Sequence, residues 1–275
     1  MYHKHAGAAA TRDGITLQYT LHGNNDPARA KLVLVHTLAM NGTIWDEVVE
    51  QMSDKATILT YDCRGHGSST KGAGPFRLEM FADDLADLLD YVGWDSAHVA
   101  GASMGGSVAL QFAISHPQRV QTLGLFDTTS WYGAEAADRW SWRVREAQEK
   151  GFAGLIAFQQ TRWFTDRFRE QHADAVARCS NIFLKNDMSS YAAACNMLGA
   201  FDLRTALGAV RVPTAIVVGE EDYATPPDMA RVLESGIKGS TLLIIPKVKH
   251  LTIVERPEVI ADVLSHLLER VPSAA

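Results

Sequence analysis

The stretch "VAGASMGGSVAL", residues 99 to 110, constrains the chain more than any other. An apolar run ends at Ser103 and a helical pattern begins at once, so the backbone must reverse within a few residues. Gly101 and Gly105 flank Ser103 at the spacing Gly-x-Ser-x-Gly, the signature of a tight strand-to-helix turn that presents a serine hydroxyl at its tip. Glycine is needed on both sides because a side chain there would strike neighbouring backbone where helix and strand pack closely. The motif alone recurs by chance, so the rest of the chain must decide its meaning.

Around it, short apolar runs alternate with longer helical patterns: "KLVLVH" then "TIWDEVVEQM", "ATILTYD" then "FRLEMFADDLADLLDYVG", "AHVAGAS" then "MGGSVALQFAISHP". After "VQTLGLFD" the rhythm stops, and it returns with "TAIVVGEED", a helix from about Pro226, "STLLIIPKV" and the final helix "PEVIADVLSHLLERV". Continuous apolar strands separated by helices predict an α/β fold, a mostly parallel sheet covered on both faces. "ITLQYTLHG" predicts an N-terminal hairpin behind a loose terminus that carries His3 and His5. Residues 131–204 are helical in pattern without a strand run and read as an inserted cap, leaving 1–130 and 205–275 as the core domain. Four of the six tryptophans fall in that cap, whose charge is +1 against −7 for the remainder.

Composition narrows the partners. A hydrophobic fraction of 47% with 21% charged residues suits a globular chain with a large core. The net charge of −6 offers no basic stripe for a phosphate backbone, so nucleic acid is not an expected partner. Neither the N-terminal stretch nor any later one supplies about 18 unbroken apolar residues, which argues against a membrane partner and for a cytoplasmic location. Cys63, Cys179 and Cys195 stand at no metal-like spacing and read as reduced, mostly buried thiols.

Crevices in open parallel sheets lie at the carboxyl ends of the strands, so the residues that follow each run carry the information. They are "HTLAMNG", "CRGHGSS", Ser103, Asp127, "EEDYATPP" and "KVKHLTIVERP". A serine needs a general base, and His250, after the last strand, is the expected one. His98 within a strand, His116 at a helix end and His266 in the last helix fit structural roles better. The base in turn needs a carboxylate. Asp222 gives the chain order serine, acid, histidine; Asp127 is the alternative, with Glu220 and Glu221 as solvated neighbours. Two backbone N–H donors for a developing oxyanion are expected from Met104 and from the loop after "KLVLV", at Leu38. Asp62, Arg64, Gly65 and Gly67 read as bracing a turn, and His66 among them as structural.

Together "GASMGG", "YDCRGHGSS", "GEEDYATPP" and "KHLTIVERPE" resemble the α/β-hydrolase family over nearly the whole chain. Within it, "VHTLAMNGTIWDEV", "RWFTDRF" and "KNDMSSYAAACNMLGAFDLR" look most like the 3-oxoadipate enol-lactonase branch. The resemblance implies a cofactor-free, metal-free serine hydrolase that opens a small lactone or carboxylic ester through an acyl-enzyme. It departs from that branch at His36-Thr37, where Asn-Ser is usual, and at Ala102, changes expected to alter the pocket wall. A carboxylate on the substrate would need a cation in the cap, and Arg162, stacked on Trp163, is the expected partner, with Trp131 as a further lining residue. The same triad would also serve hydrolysis of a carbon–carbon bond, or survive in a ligand-binding receptor with little turnover. A haloalkane dehalogenase is disfavoured, because that chemistry uses a carboxylate where this elbow carries serine.

Overall fold

A computed structural model describes residues 4–23 and 28–270. Among the described residues eight strands form one sheet in the order β1-β2-β4-β3-β5-β6-β7-β8. They span Lys4–Ala10, Thr16–His22, Ala30–Val35, Ala56–Tyr61, Ala97–Ala102, Val120–Phe126, Thr214–Gly219 and Thr241–Ile245. β1 and β2 pair antiparallel, β2 joins β4 antiparallel, and every pairing from β4 to β8 is parallel. Strands β4, β5 and β7 are buried at every position, as their continuous apolar runs require, because helices cover both faces. β8 alternates exposed with half-buried or buried residues, the pattern of an edge strand.

The same residues form ten α-helices: α1 Asp46–Met52, α2 Leu78–Tyr91, α3 Met104–Ser115, α4 Ala136–Trp163, α5 Asp166–Gln171, α6 Ala173–Leu184, α7 Met188–Ala200, α8 Pro227–Gly236, α9 Thr252–Glu255 and α10 Pro257–Leu268. Their apolar stripes build two cores. On one face α2, α3 and α8 bury Leu85, Leu89, Phe112 and Leu233. On the other, α1 and α10 bury Val48, Met52, Ile260 and Leu264 together with Phe152 and Phe183 of the insert. Each fully buried side chain of this size contributes about 1.5–3 kcal/mol of transfer free energy. No helix of the described residues is long and apolar enough to cross a membrane, and the three cysteines are buried and unpaired.

Two features depart from expectation. Lys4–Ala10, read as loose, is the first strand of the hairpin, with His5 in it; His3 lies outside the described residues. Its alanines and glycine hide the alternation that marks a strand, and Gly7 is small because the Tyr19 ring lies across it. The insert α4–α7 is helical as expected, but α4 is broken at Gly151, whose φ of +64° only glycine adopts freely.

Sheet order places the crevice. The chain runs from β3 outward to β4 and then returns to β5 on the other side of β3, so the switch in direction falls between β3 and β5. Their register pairs Val35 with Gly101. The loop at 36–40 and the serine at 103 therefore leave the sheet side by side.

Candidate active site

Ser103 adopts φ +53° and ψ −118°, a conformation costly for a residue with a Cβ and held only when its surroundings over-determine it. Here the Ser103 N–H donates to the Phe126 carbonyl at 2.8 Å, and the Thr128 hydroxyl donates to the Ser103 carbonyl at 2.7 Å. A Cβ on Gly101 would collide with the Gly105 carbonyl, and one on Gly105 with the carbonyls of Val35 and His36. Both glycines therefore let α3 start against the ends of β5 and β3.

Three side chains converge at that point. His250 Nε2 lies 2.9 Å from Ser103 Oγ, and His250 Nδ1 lies 2.7 Å from Asp222 Oδ2. The Asp222 carboxylate also accepts the N–H groups of Ala224 and Thr225 and the Thr225 hydroxyl. An acceptor-only carboxylate fixes the imidazole proton on Nδ1 and leaves Nε2 free to accept from the serine. Burial pushes the His250 pKa down, yet the charge and hydrogen bond of Asp222, with Asp127 beyond it, outweigh this and raise it above 6.5. The runner-up acid, Asp127, spends its oxygens on Gly219 and Thr252 instead of His250. Glu220 and Glu221 are exposed.

The N–H of Met104 opens α3 and so has no partner within the helix. Leu38 sits in a turn closed by the Met40 N–H on the Thr37 carbonyl, with Ala39 at φ +61°. Gly105 brings these two places together. His36 lies beneath this turn rather than in the pocket wall: its Nδ1–H donates to the Thr37 carbonyl and its Nε2 accepts the Cys63 N–H. The His36 side chain is fully buried. Asp62 ties "CRGHGSS" to the next loop by accepting from Gly42 and Ser68, while Arg64 pairs with Asp84 at 2.5 Å.

The insert lies over this edge and is bonded to it. Leu251 N–H donates to the Trp163 carbonyl, Lys249 Nζ to that of Thr161, and Asn186 Nδ2 to that of Ala39. Glu255 accepts both the N–H and the hydroxyl of Thr165.

The cap residues expected to line the site have partners of their own. Trp131 bridges to Asp202 where the insert leaves and rejoins the core, its ring beneath the Arg204 guanidinium. Trp163 is buried with its ring against Phe164 and Phe183. Arg162 stacks on Tyr223 at 4.0 Å and Phe158 at 4.8 Å, not on Trp163. Successive helical residues do not face one another, and residues four apart do, so Phe158 takes the place of the indole.

Sequence reasoning missed a different set. Tyr132 lies near Ser103, and its ring is held edge-on by Trp140 and Phe201. Arg143 of α4 donates from Nε to the Tyr191 hydroxyl at 2.8 Å and lies over the Trp140 ring. It joins no carboxylate in an ion pair among the described residues, and its charge is felt at His250. A Trp140/Arg143 pair at i and i+3 was the available signal, but α4 also carries Arg139, Arg145, Lys150 and Arg162, and no strand end marks one of them.

An eight-stranded, mostly parallel sheet with a helical insert before β7 and a serine at the β5 turn defines a hydrolase of the α/β type. A profile of the alpha/beta hydrolase fold matches residues 31–257, and the chain belongs to that family. It is 28% identical to 3-oxoadipate enol-lactonase 2 of Acinetobacter baylyi, over 94% of this chain and 96% of that one. Among solved structures it resembles the enol-lactonase of Burkholderia xenovorans, with a TM-score of 0.91 and 27% identity over 96% of this chain and all of the other. A thermophilic esterase from Thermogutta terrifontis with malate bound is also similar, at a TM-score of 0.89 and 25% identity over 98% of this chain and all of that one.

Proposed function

We propose that this protein is a serine hydrolase that opens a small, carboxylate-bearing lactone or ester through an acyl-enzyme at Ser103. The observation that carries the reading is the hydrogen-bonded line Asp222–His250–Ser103. In the first half-reaction His250 takes the hydroxyl proton as Ser103 Oγ attacks the acyl carbon, and the N–H groups of Leu38 and Met104 receive the oxyanion. His250 returns the proton to the departing oxygen. Water then repeats the sequence and releases the acid, with no cofactor or metal in the scheme.

The acyl chemistry follows from the roof. Arg143 holds a charge at any working pH, and its partners Tyr191, Gln159 and Trp140 are neutral. A guanidinium in this position is completed by a carboxylate, which it can grip through two parallel bonds. Relationship to enol-lactonases and to an esterase with bound malate supports the same class. Arg162, expected from the sequence to do this, lies over the Phe158 and Tyr223 rings, and its Nε–H has no hydrogen-bond partner among the described residues.

The test is a panel of lactones and linear esters, with and without a carboxylate, on the parent and on Arg143→Lys and Arg162→Lys. Loss of one charge-assisted bond, about 1.4 kcal/mol, should raise KM for carboxylate-bearing substrates roughly ten-fold in Arg143→Lys. Neutral aryl esters should be spared, and Arg162→Lys should have the smaller effect. Equal changes on charged and neutral substrates would sink the anionic reading, and a parent inert to every ester, lactone and serine-directed phosphonate would sink the hydrolase.

A further inference from the structure

Among the described residues, Asp127 is the buried carboxylate beside the relay that the proposed reaction leaves unused. It ends β6, is fully buried, and has φ +47°, in the left-handed region where Asp is among the few side chains at home. Its own N–H donates to the Val217 carbonyl on β7 at 2.8 Å. Oδ1 accepts the Gly219 N–H at 3.3 Å, while Oδ2 accepts the Thr252 N–H at 2.9 Å and the Thr252 hydroxyl at 2.6 Å. Gly219 is three residues before Asp222, and Thr252 is two after His250.

We infer that Asp127 is a positioning residue: it staples the roots of the two loops that carry Asp222 and His250, and so aims the imidazole at Ser103. The inference rests on the serine-hydrolase reading. The two loops already touch through Glu220 N–H on the Ile245 carbonyl, Glu221 N–H on that of Val248 and Lys247 N–H on the Glu220 carboxylate, but these contacts all fall on the β8 side of His250. Beyond His250 the loop has a second tether, Leu251 N–H on the Trp163 carbonyl, which belongs to the insert. The tie from the sheet to the loop at Thr252 is the Asp127 side chain. Without it, two Thr252 donors and one Gly219 donor would be left in a dry interior, and the loop would move to satisfy them.

Geometry of this kind is read in the chemical step rather than in binding, because a base misplaced by about 1 Å costs as much as 100-fold in rate. The experiment compares the parent with Asp127→Ala, Asp127→Asn, Thr252→Val and the double variant Asp127→Ala/Thr252→Val. The readouts are the rate of Ser103 phosphonylation by a fluorophosphonate, kcat and KM on a short-chain aryl ester, and the melting temperature. Asp127→Ala should slow phosphonylation and kcat by about ten-fold or more while KM stays within about two-fold. Asp127→Asn should recover most of the loss, since its amide oxygen can still accept both Thr252 donors. The double variant should be no slower than Asp127→Ala, because both changes delete one interaction. If Asp127→Ala does not fold, Thr252→Val carries the test and should slow phosphonylation at an unchanged melting temperature. A labelled parent with an equally fast Asp127→Ala, an Asp127→Asn no better than Ala, or additive losses would overturn the role. A parent that does not react with the phosphonate overturns the hydrolase reading instead.

Discussion

Ser103 occupies a backbone conformation it would not adopt in an isolated peptide, and what it gains is a hydroxyl clear of its own helix and within 2.9 Å of His250. Replacing it with Ala removes the hydroxyl and leaves the strained turn, so Ser103→Ala should fold normally and lose about 10⁴-fold or more in turnover. Residual activity above a few per cent of the parent would remove Ser103 from the mechanism. Asp222 and Asp127 are separated by what their oxygens touch. Asp222→Asn would present an amide N–H₂ or a weaker acceptor to Nδ1 and favour the wrong tautomer, a loss on the order of 10⁴-fold. Asp127→Asn keeps its main acceptor and should cost only a few-fold, and the reverse ranking would make Asp127 the acid. Because Asp222 raises the His250 pKa above 6.5 against the pull of burial, the neutral, base-competent imidazole appears only as pH rises past that value. The acid limb of kcat/KM should therefore lie above pH 6.5; a profile flat from pH 5 to 8 with chemistry rate-limiting would argue against a histidine base.

At the scale of elements, the junction of β5 and α3 depends on what Gly101 and Gly105 lack. A methyl group on Gly105 would enter the carbonyls of Val35 and His36, backbone that cannot rotate away. Gly105→Ala should destabilise by about 3 kcal/mol or more in urea unfolding, whereas Gly208→Ala, with open space around it, should be near neutral. Equal midpoints for the two would show that the close packing of α3 on β3 is not needed. The strands that meet this junction were readable from sequence because burial on both faces writes itself as an unbroken apolar run, and strand ends then name Ser103, Asp222 and His250. β1 was not readable, since Ala and Gly carry no alternation and only pairing with β2 makes a strand of them. Nor were Tyr132 and Arg143, because a helical insert has no sheet edge to order its residues. Which arginine of α4 acts on His250 is decided by contacts with α7, where Arg143 meets Tyr191.

The whole molecule stores neutral histidines in its interior, and this makes its stability a function of pH. Burial holds His22, His36 and His98 at a pKa of about 4 and His66 at about 3, against 6.5 when free. Below pH 6.5 the unfolded chain binds protons at these sites and the folded chain does not, so stability falls with pH until the folded-state values are reached. Lowering a pKa by one pH unit corresponds to about 1.4 kcal/mol, so each histidine weighs up to a few kcal/mol against a total on the order of 5–15 kcal/mol. Asp84, raised by burial to about 6 despite Arg64, works the other way, as does Glu255: each prefers its proton in the folded state and gains stability as pH falls. Four histidines held so far below their free value should outweigh them. Urea unfolding should therefore show decreasing stability from pH 6.5 toward 4, and a level or rising profile would mean that the carboxylates dominate. His66 offers the sharpest check, because it has the lowest value of the four and a simple set of bonds. Its Nδ1–H donates to the Arg64 carbonyl, a bond the Asn amide can copy, and its Nε2 has no partner to lose among the described residues. His66→Asn should leave stability at pH 7.5 within about 1 kcal/mol of the parent and flatten the slope below pH 6.5. An unchanged slope would show that His66 does not contribute to the acid sensitivity.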